Sequence, residues 1–257
     1  MKKIIMVVVA GFIAVGANAQ LLKSNLFSGY KEGDKLEKSV FQSKNDTPEL
    51  DVWAGAFVSK PSEVASPIIG KELAYPGYPE KGPSITLGTP EGVKGNRFCV
   101  YPIDTKKTYY KGVFYLACVV ELSKVPSSSP IDLIGLSASA TSVSNRAAIK
   151  VSRIGSEGLK FATNLMKSVS ETTMAYDYDK PHLIILKIDY NNQTASLYVD
   201  PKVESEPEQA DCVAKGDADN VLKHAIRSIS LRNRSGYIGN VGNIRFARTW
   251  ADLFAAD

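Results

Sequence analysis

Residues 183–199 read LIILKIDYNNQTASLYV. The first eight residues are mostly isoleucine and leucine, and over residues 194–199 apolar side chains alternate with Ser196 and Tyr198. Asn191 and Asn192 separate the two runs, and asparagine tolerates the left-handed backbone that tight turns require. The stretch therefore predicts a β-hairpin of antiparallel strands that rest one face on a core.

Runs of the same kind continue through most of the chain. They are short, rich in β-branched and aromatic residues, and separated by Gly, Pro, Asn and Ser. Between them lies no amphipathic stretch of the length that a parallel α/β fold needs, and only Trp250–Ala255 suggests a short helical turn. The pattern predicts an all-β fold of two antiparallel sheets. The further runs are 51–59, 96–101, 112–122, 131–138, 148–154, 158–163, 226–232 and 243–248.

The N-terminus has the pattern of a secretory signal peptide. Lys2 and Lys3 precede an apolar run over residues 4–15, and Ala17-Asn18-Ala19 is a small-x-small cleavage signal. An uncleaved membrane anchor is the alternative, but the run is shorter than the roughly 20 residues that span a bilayer. We therefore expect cleavage after Ala19, export to the periplasm, cell surface or exterior, and one domain over residues 20–257, with no transmembrane segment.

Charge and cysteine content exclude several classes of function. Removing Lys2 and Lys3 lowers the net charge from +4 to +2, which is too balanced to indicate nucleic acid as a partner. Cys99, Cys118 and Cys212 do not form a disulfide framework or have zinc-ligand spacing. Cys99 and Cys118 lie in strands that we expect to be neighbours, so they are either a disulfide or two buried free thiols.

Several segments, in this order, resemble exported bacterial proteins of the concanavalin A-like, laminin-G-like jelly-roll superfamily. The closing segment, IGNVGNIRFARTWADLF, is the most specific of them. The resemblance covers most of residues 20–257 and implies two stacked antiparallel sheets with jelly-roll topology. Similar segments occur in secreted proteins of uncharacterised function and in domains of larger surface proteins. The segments are 27–30 with 33–36, 73–78, 97–98, 180–189 with 195–201, and 238–254.

That superfamily includes lectins, carbohydrate-binding modules, glycoside hydrolases, polysaccharide lyases and adhesion domains, and the fold alone does not choose among them. Its hydrolases carry paired carboxylates on one strand. The nearest match here, Glu49 and Asp51, lacks the third carboxylate of the usual pattern and is interpreted as a solvated strand start. Asp177 and Asp179 are interpreted as turn residues. Calcium occurs in the superfamily, but no oxygen-ligand cluster is evident, so no cofactor is assigned.

A sugar-binding face needs exposed aromatic rings beside polar side chains. Tyr75, Tyr78, Tyr109 and Tyr110 lie in turn-like segments and are the candidate ligand-binding residues. Tyrosines that cap the edge of a core would look the same in sequence. The expected function is a non-catalytic binding module, with a glycan as ligand. The alternatives are a structural or adhesion domain that binds an envelope protein, and an unrecognised glycan-active hydrolase or lyase.

Tryptophans and arginines give two further expectations. Trp53 and Trp250 sit in apolar segments and are expected in the core. Five arginines near the C-terminus could form a stripe that meets acidic polysaccharide, although the solvent face of a sheet explains them as well. The five are Arg227, Arg232, Arg234, Arg245 and Arg248.

Overall fold

The computed structural model describes residues 21–60, 62–89, 92–156, 158–219 and 221–256. The predicted signal peptide, residues 1–19, and its cleavage site lie outside the described residues.

Strands dominate the described residues, and one short helix, α1 (Trp250–Phe254), closes the chain. The strands are β1 (Leu21–Lys23), β2 (Ser39–Val40), β3 (Ala54–Gly55), β4 (Ile68–Leu73), β5 (Gly82–Leu87), β6 (Asn96–Pro102), β7 (Val113–Lys124), β8 (Ile131–Ser137), β9 (Asn145–Ile154), β10 (Gly158–Leu165), β11 (Ser168–Glu171), β12 (Tyr176–Asp177), β13 (His182–Asp189), β14 (Thr194–Val199), β15 (Cys212–Lys215), β16 (Ser228–Arg234) and β17 (Ile238–Ala247).

The strands form two sheets that stack face to face. The first sheet has the order β15-β14-β13-β7-β17-β5-β4, and β1 also pairs with β17. The second has the order β11-β10-β9-β8-β16-β6-β3-β2, and β12 also pairs with β10. Neighbouring strands pair antiparallel, apart from the short β2–β3 contact. The predicted all-β, two-sheet antiparallel jelly-roll sandwich with a C-terminal helical turn is confirmed.

The core lies between the two sheets and is rich in aromatic rings. Trp53 is fully buried and stacks on Phe27, with ring centroids 6.3 Å apart. Phe114 stacks on Phe246 in the same cluster. Trp250 is also buried, so the expectation for both tryptophans is confirmed, but it lies in a second cluster on the outer face of the first sheet.

The first sheet is buried on both faces. In the β7–β13 pair, Ile184 and Cys118 face the core between the sheets, whereas Leu183 and Val119 belong to the outer cluster. Helix α1 and partly buried residues of two connecting segments cover that outer cluster. Strands covered on both faces need apolar residues at successive positions, which explains the unbroken apolar runs of β7 and β13.

Two expectations about strand placement are wrong. Cys99 lies in β6 of the second sheet and Cys118 in β7 of the first, so their strands are not neighbours. An apolar run does not encode which sheet it joins. Both residues, and Cys212, are buried free thiols. The acidic segment over residues 203–219, which is poor in large apolar residues, predicts a long exposed connection, but it contains β15, which extends the first sheet and buries Ala214.

Candidate functional site

An open groove runs over the outer face of the second sheet and has a volume of about 790 Å³. Its floor follows from strand register, because residues paired across neighbouring strands point to the same face. Asn164 lies opposite Ala148, Ala148 opposite Gly135, and Gly135 opposite Ser230. The groove is lined by Lys44, Phe57, Val58, Ser59, Phe98, Asp132, Ala138, Ser139, Ser142, Val143, Ser144, Asn145, Lys150, Asn164, Met166 and Arg232.

Small residues lie beneath the groove: Ala148 and Ser230 are 0% and 2% exposed, and neither they nor Gly135 is among its lining residues. A Cβ atom at Gly135 would lie 2.8 Å from the Ala148 Cβ and 3.0 Å from the Asn145 Nδ2, so only glycine fits this position without displacing its neighbours. Larger polar side chains stand on either side of this row. The groove is therefore a product of residue size along one row of the sheet.

A hydrogen-bonded network orients the polar side chains of the floor. Lys150 Nζ forms an ion pair with Asp132 Oδ1, and Asn145 Nδ2 donates to Asp132 Oδ2 at 3.1 Å. Ser230 Oγ in turn donates to Asn145 Oδ1 at 2.6 Å. The carboxylate is thereby neutralised and held in place before any ligand arrives.

Two polar groups of the groove lack a partner among the described residues. The Asn164 side chain is 6% exposed, and its Oδ1 is buried without a hydrogen bond, while Nδ2 donates to the Met166 carbonyl at 2.9 Å. The Arg232 Nε donates to Asn96 Oδ1 at 2.9 Å, whereas hydrogen bonds from its two terminal nitrogens are absent within the described part of the chain. An unpaired buried polar atom is costly, so Asn164 Oδ1 is suited to accept a hydrogen bond from a ligand. The terminal nitrogens of the partly exposed Arg232 can donate to one.

Aromatic rings border the same groove. Phe98 lies opposite Arg232 in the β6–β16 pair, and the guanidinium carbon sits 5.2 Å from the centre of the ring. Phe57 is partly exposed on the rim, where its backbone N–H donates to the Thr141 carbonyl at 2.8 Å. Thr141 Oγ1 also donates to the Lys44 carbonyl at 2.9 Å. The serine-rich 138–144 loop is thus tied to the N-terminal segment that forms the opposite rim.

The four predicted tyrosines do not form one surface. Tyr75 and Tyr78 belong to the cluster on the outer face of the first sheet, whereas Tyr109 packs against Phe114 between the sheets. Tyr78 is 2% exposed, so its ring is withdrawn from solvent and the stacking role does not fit it. Burial, with Asp200 nearby, raises the pKa of Tyr75 to about 12.

Tyr110 is the most exposed of the four, with half of its surface open to solvent. It lines a second depression of about 520 Å³ together with Lys107, residues 223–225 and Arg227. Ala138 lines both this depression and the groove, so the two are adjacent. Ligand binding by Tyr75, Tyr109 and Tyr110 stays a prediction.

Asp51, a member of the candidate catalytic pair, and His182 have structural contacts. Asp51 forms an ion pair with Lys23 at 2.5 Å. His182 Nδ1 lies 2.7 Å from Asp200 Oδ2, and its Nε2 lies 3.0 Å from the Asp177 carbonyl oxygen. Burial opposes the charged imidazole, but these contacts outweigh it and raise the pKa of His182. With both ring nitrogens engaged, His182 serves as a buried tie between β13 and the segments beside it.

The C-terminal arginines do not form a stripe. Arg245 is 1% exposed, its Nε donates to Glu80 Oε2 at 2.7 Å, and its Nη1 donates to the Ala255 carbonyl at 2.6 Å. Arg248 lies over the Phe114 ring, whereas Arg232 lines the groove. The group divides because β17 places Arg245 on the outer face of the first sheet beside α1, and Arg248 follows the end of that strand. In contrast, β16 places Arg232 on the outer face of the second sheet.

The described residues contain no cluster of three or more His, Cys, Asp or Glu side chains placed to hold a metal ion. A calcium site therefore stays unassigned within the described residues. Nor does any helix in the described ranges have the length and apolar character needed to cross a membrane.

Sequence reasoning named Arg232 as a possible contact of acidic polysaccharide but missed the other groove residues. Their signal is present as polar residues at alternate positions of β9, β10 and β16, a pattern that resembles a solvated face. Ser228 and Ser230 are in fact 0% and 2% exposed, because the 138–144 loop covers their end of the sheet and Ser228 Oγ donates to the Ser139 carbonyl. Polar residues on an ordinary outer sheet face are exposed to solvent, whereas these are buried beneath a loop. That burial distinguishes the groove region from a solvent-exposed face.

No protein-family model matches this chain, and neither does any curated protein. Similar solved structures include the cellulose-induced protein Cip1, which is 12% identical, with a TM-score of 0.47 over 77% of this chain and 91% of that one. A structure of botulinum neurotoxin type C, described as interacting with two ganglioside molecules, is 12% identical, with a TM-score of 0.44 over 74% of this chain and 45% of that one. A pentraxin from Limulus polyphemus is 8% identical, with a TM-score of 0.40 over 66% and 79%.

This chain spans less than half the length of the neurotoxin binding-domain chains that it matches. At these identities and TM-scores, the similarities carry no information about ligand or activity.

Proposed function

We propose that this chain is an exported, non-catalytic binding module of the concanavalin A-like superfamily and that its groove binds a glycan. In this proposal, residues 20–257 form one domain after removal of residues 1–19. The observation that carries the proposal is the buried, unpartnered Asn164 Oδ1 on the floor of an open groove with an aromatic rim. A sugar offers the hydroxyl donors that such an oxygen lacks.

The rest of the groove supports the same ligand class. Sugars combine apolar ring faces with hydroxyl groups, so their sites combine aromatic or aliphatic surface with fixed polar groups. Phe57, Phe98 and Met166 supply the first, and the network around Asn145 supplies the second. Because that network is already hydrogen-bonded, little side-chain entropy is lost when a ligand binds.

The lining of the groove also supports binding without catalysis. Asp132 is the one carboxylate among the described lining residues, and it is paired with Lys150. A retaining glycosidase needs two carboxyl groups about 5 Å apart. An envelope protein is the alternative partner, and a screen against glycans distinguishes the two.

The test is a glycan-array screen of residues 20–257, run with calcium and with a chelator. We expect reproducible binding to one glycan class, weakened about tenfold or more by Phe98→Ala and by Asn164→Ala, because each removes a contact typical of binding hot spots. Tyr75→Ala tests the alternative site that the sequence predicts: Tyr75 lies on the first sheet, and if the groove is the site, this variant should change affinity by less than about twofold.

Each variant must keep the melting temperature of the parent protein, so that loss of binding is not loss of fold. Loss of binding in Tyr75→Ala but not in Phe98→Ala would move the site to the first sheet. A blank array from folded protein would contradict glycan binding and favour the envelope-protein alternative, for which affinity capture from the envelope is the next experiment.

A further inference from the structure

Arg97 and Arg245 are paired with carboxylates, whereas five partly buried arginines have no ion pair among the described residues: Arg146, Arg227, Arg232, Arg234 and Arg248. Of these five, Arg232 lines the groove. Arg97 is held by Glu37 through two hydrogen bonds of 2.7 and 2.5 Å, and Arg245 is held by Glu80. A carboxylate partner of this kind is the usual condition for burying a guanidinium. Arg232 is partly buried but has no ion pair among the described residues.

The orientation of Arg232 is fixed from two sides. Its Nε donates to Asn96 Oδ1, and its guanidinium carbon lies 5.2 Å from the centre of the Phe98 ring, whose negative face attracts the cation. The terminal nitrogens are the remaining donors of the group, and Arg232 lines the groove. A guanidinium presents these donors as a rigid fork that matches the two oxygens of a carboxylate.

The charges around Arg232 leave it uncompensated. Asp132 is the nearby acid, but Lys150 and Asn145 occupy its two oxygens. Arg234 adds a second positive charge beside Arg232. Burial, followed by the charge of Arg234, lowers the pKa of Arg232, as expected for a cation that lacks an anionic partner.

The adjacent depression, which Tyr110 lines, is also positively charged. Lys107, Lys223 and Arg227 line it, and an acidic side chain is absent from its described lining. The nearby Asp104 accepts backbone N–H groups of Lys106 and Thr108, so it shapes the loop that carries Lys107. A chain of sugars that continues past Ala138 would therefore meet further positive charge.

We propose that the groove selects an acidic saccharide and that the carboxylate or sulfate group of one sugar docks on the Arg232 fork. The inference rests on the proposed glycan-binding function. Asn164 Oδ1 can accept a hydrogen bond from a hydroxyl group, and Arg232 can bind an oxyanion. The two residues lie three strands apart, about 14 Å across the sheet, so they would contact different sugars of one oligosaccharide. Because both groups line one groove, we expect an oligosaccharide with an acidic sugar to bind better than a neutral one.

The experiment is isothermal titration calorimetry of residues 20–257 with three oligosaccharides of equal length. The probes are an oligogalacturonate, its methyl ester, and a galactose oligomer whose only charged groups are sulfates. The ester keeps the sugar ring and removes the charge, so it is the matched control ligand. We expect the ester to bind about tenfold or more weakly than the acid, because a charge-assisted bond is lost. The sulfated probe tells whether a sulfate serves as the oxyanion in place of a carboxylate.

The variants test whether binding of an acidic probe depends on Arg232 itself or only on the net positive charge of the protein. Arg232→Gln should lose about tenfold or more in affinity for the better acidic probe and leave the ester within about twofold. Arg232→Lys should retain part of the affinity, since it keeps the charge but not the fork. Arg153→Gln is the control, because Arg153 is an exposed arginine at the end of β9, and it should behave as the parent protein.

Two results would overturn the inference alone. One is equal binding of the acid, the ester and the sulfated probe with sensitivity to Phe98→Ala, which would leave the glycan groove in place without selection for charge. The other is acid binding that Arg232→Gln does not change. Absence of binding to every probe and to the array would overturn the proposed function together with this inference.

Discussion

At Gly239 the backbone of β17 has a φ of 147°, and a Cβ atom there would lie 2.3 Å from the Glu121 carbonyl oxygen. The position sits beside a register shift in the β7–β17 pair. Two central strands therefore approach each other at a place that no side chain can occupy. Sequence alone shows a glycine in a strand, whereas the contact explains why glycine is required.

Gly239→Ala should consequently destabilise the protein by about 3 kcal/mol or more, because both sterics and backbone conformation oppose the new methyl group. Gly155→Ala is the matched control. Gly155 has a φ of 55° in an exposed turn, and a Cβ atom added there would meet no atom within 4 Å, so only backbone strain of about 1 kcal/mol applies. Urea denaturation of both variants measures the difference. Equal losses would show that the close approach to Glu121 is not restrictive.

The tyrosines illustrate how little a residue type says about its surroundings. Tyr109 and Tyr110 are consecutive in the chain, yet Tyr109 packs against Phe246 in the core and Tyr110 is half exposed. Tyr78 was expected in an exposed turn and instead contacts Phe254 of the terminal helix. Which tyrosine reaches solvent depends on segments that are distant in sequence.

At the scale of elements, one segment on the outer face of the first sheet is fixed by a single carboxylate. Glu206 accepts hydrogen bonds from Tyr115 and Tyr198, each at 2.8 Å, and from Lys187 at 2.6 Å. Trp250 Nε1 also donates to the Val203 carbonyl at 3.2 Å. These contacts hold the connection between β14 and β15 over the outer cluster.

The charge of Glu206 should make this attachment sensitive to acid. Burial opposes ionisation, but the bonds from Lys187 and the two tyrosines outweigh it and lower the pKa of Glu206. A lowered folded-state pKa stabilises the fold above the unfolded value, about 4.3, and that stability is lost as the pH falls through the folded-state pKa. Glu206→Gln should therefore remove part of the loss of stability on acidification.

Thermal unfolding of Glu206→Gln from pH 7 to pH 3, with Glu208→Gln as the control, measures this effect. Glu208 lies two residues away in the same segment and is exposed. Hydrogen exchange should also quicken over residues 200–211 in Glu206→Gln but not in Glu208→Gln. Identical acid profiles in the two variants would contradict a role for the Glu206 charge.

For the whole molecule, export can be tested directly. Expression of the full chain in a bacterium, with mass spectrometry of the fraction outside the cytoplasm, should give a mature N-terminus at Gln20, because Ala17 and Ala19 satisfy the small-residue cleavage rule. Ala19→Tyr should block processing and leave residues 1–19 attached. Recovery of unprocessed parent protein from the cytoplasm would contradict export.

Local sequence determined the element types. Alternation over residues 194–199 and 226–232 predicted strands that the structure confirms, and the predicted hairpin after residue 190 is present. One detail differs, because Gln193 rather than an asparagine adopts the left-handed backbone, while Asp189 accepts the N–H groups of both asparagines. Hydrophobic period and turn chemistry act over a few residues, so a single sequence displays them.

Tertiary structure decided the sheet order and, with it, the groove. Asn164, Gly135 and Ser230 become one row only because β10, β9, β8 and β16 pair in that order. Arg232 likewise lacks an ion pair because the nearby Asp132 is paired with Lys150. Which strands pair depends on how much apolar surface the whole fold buries, and not on any local pattern. The sequence by itself therefore determined the fold class, whereas the tertiary structure decided where the groove lies.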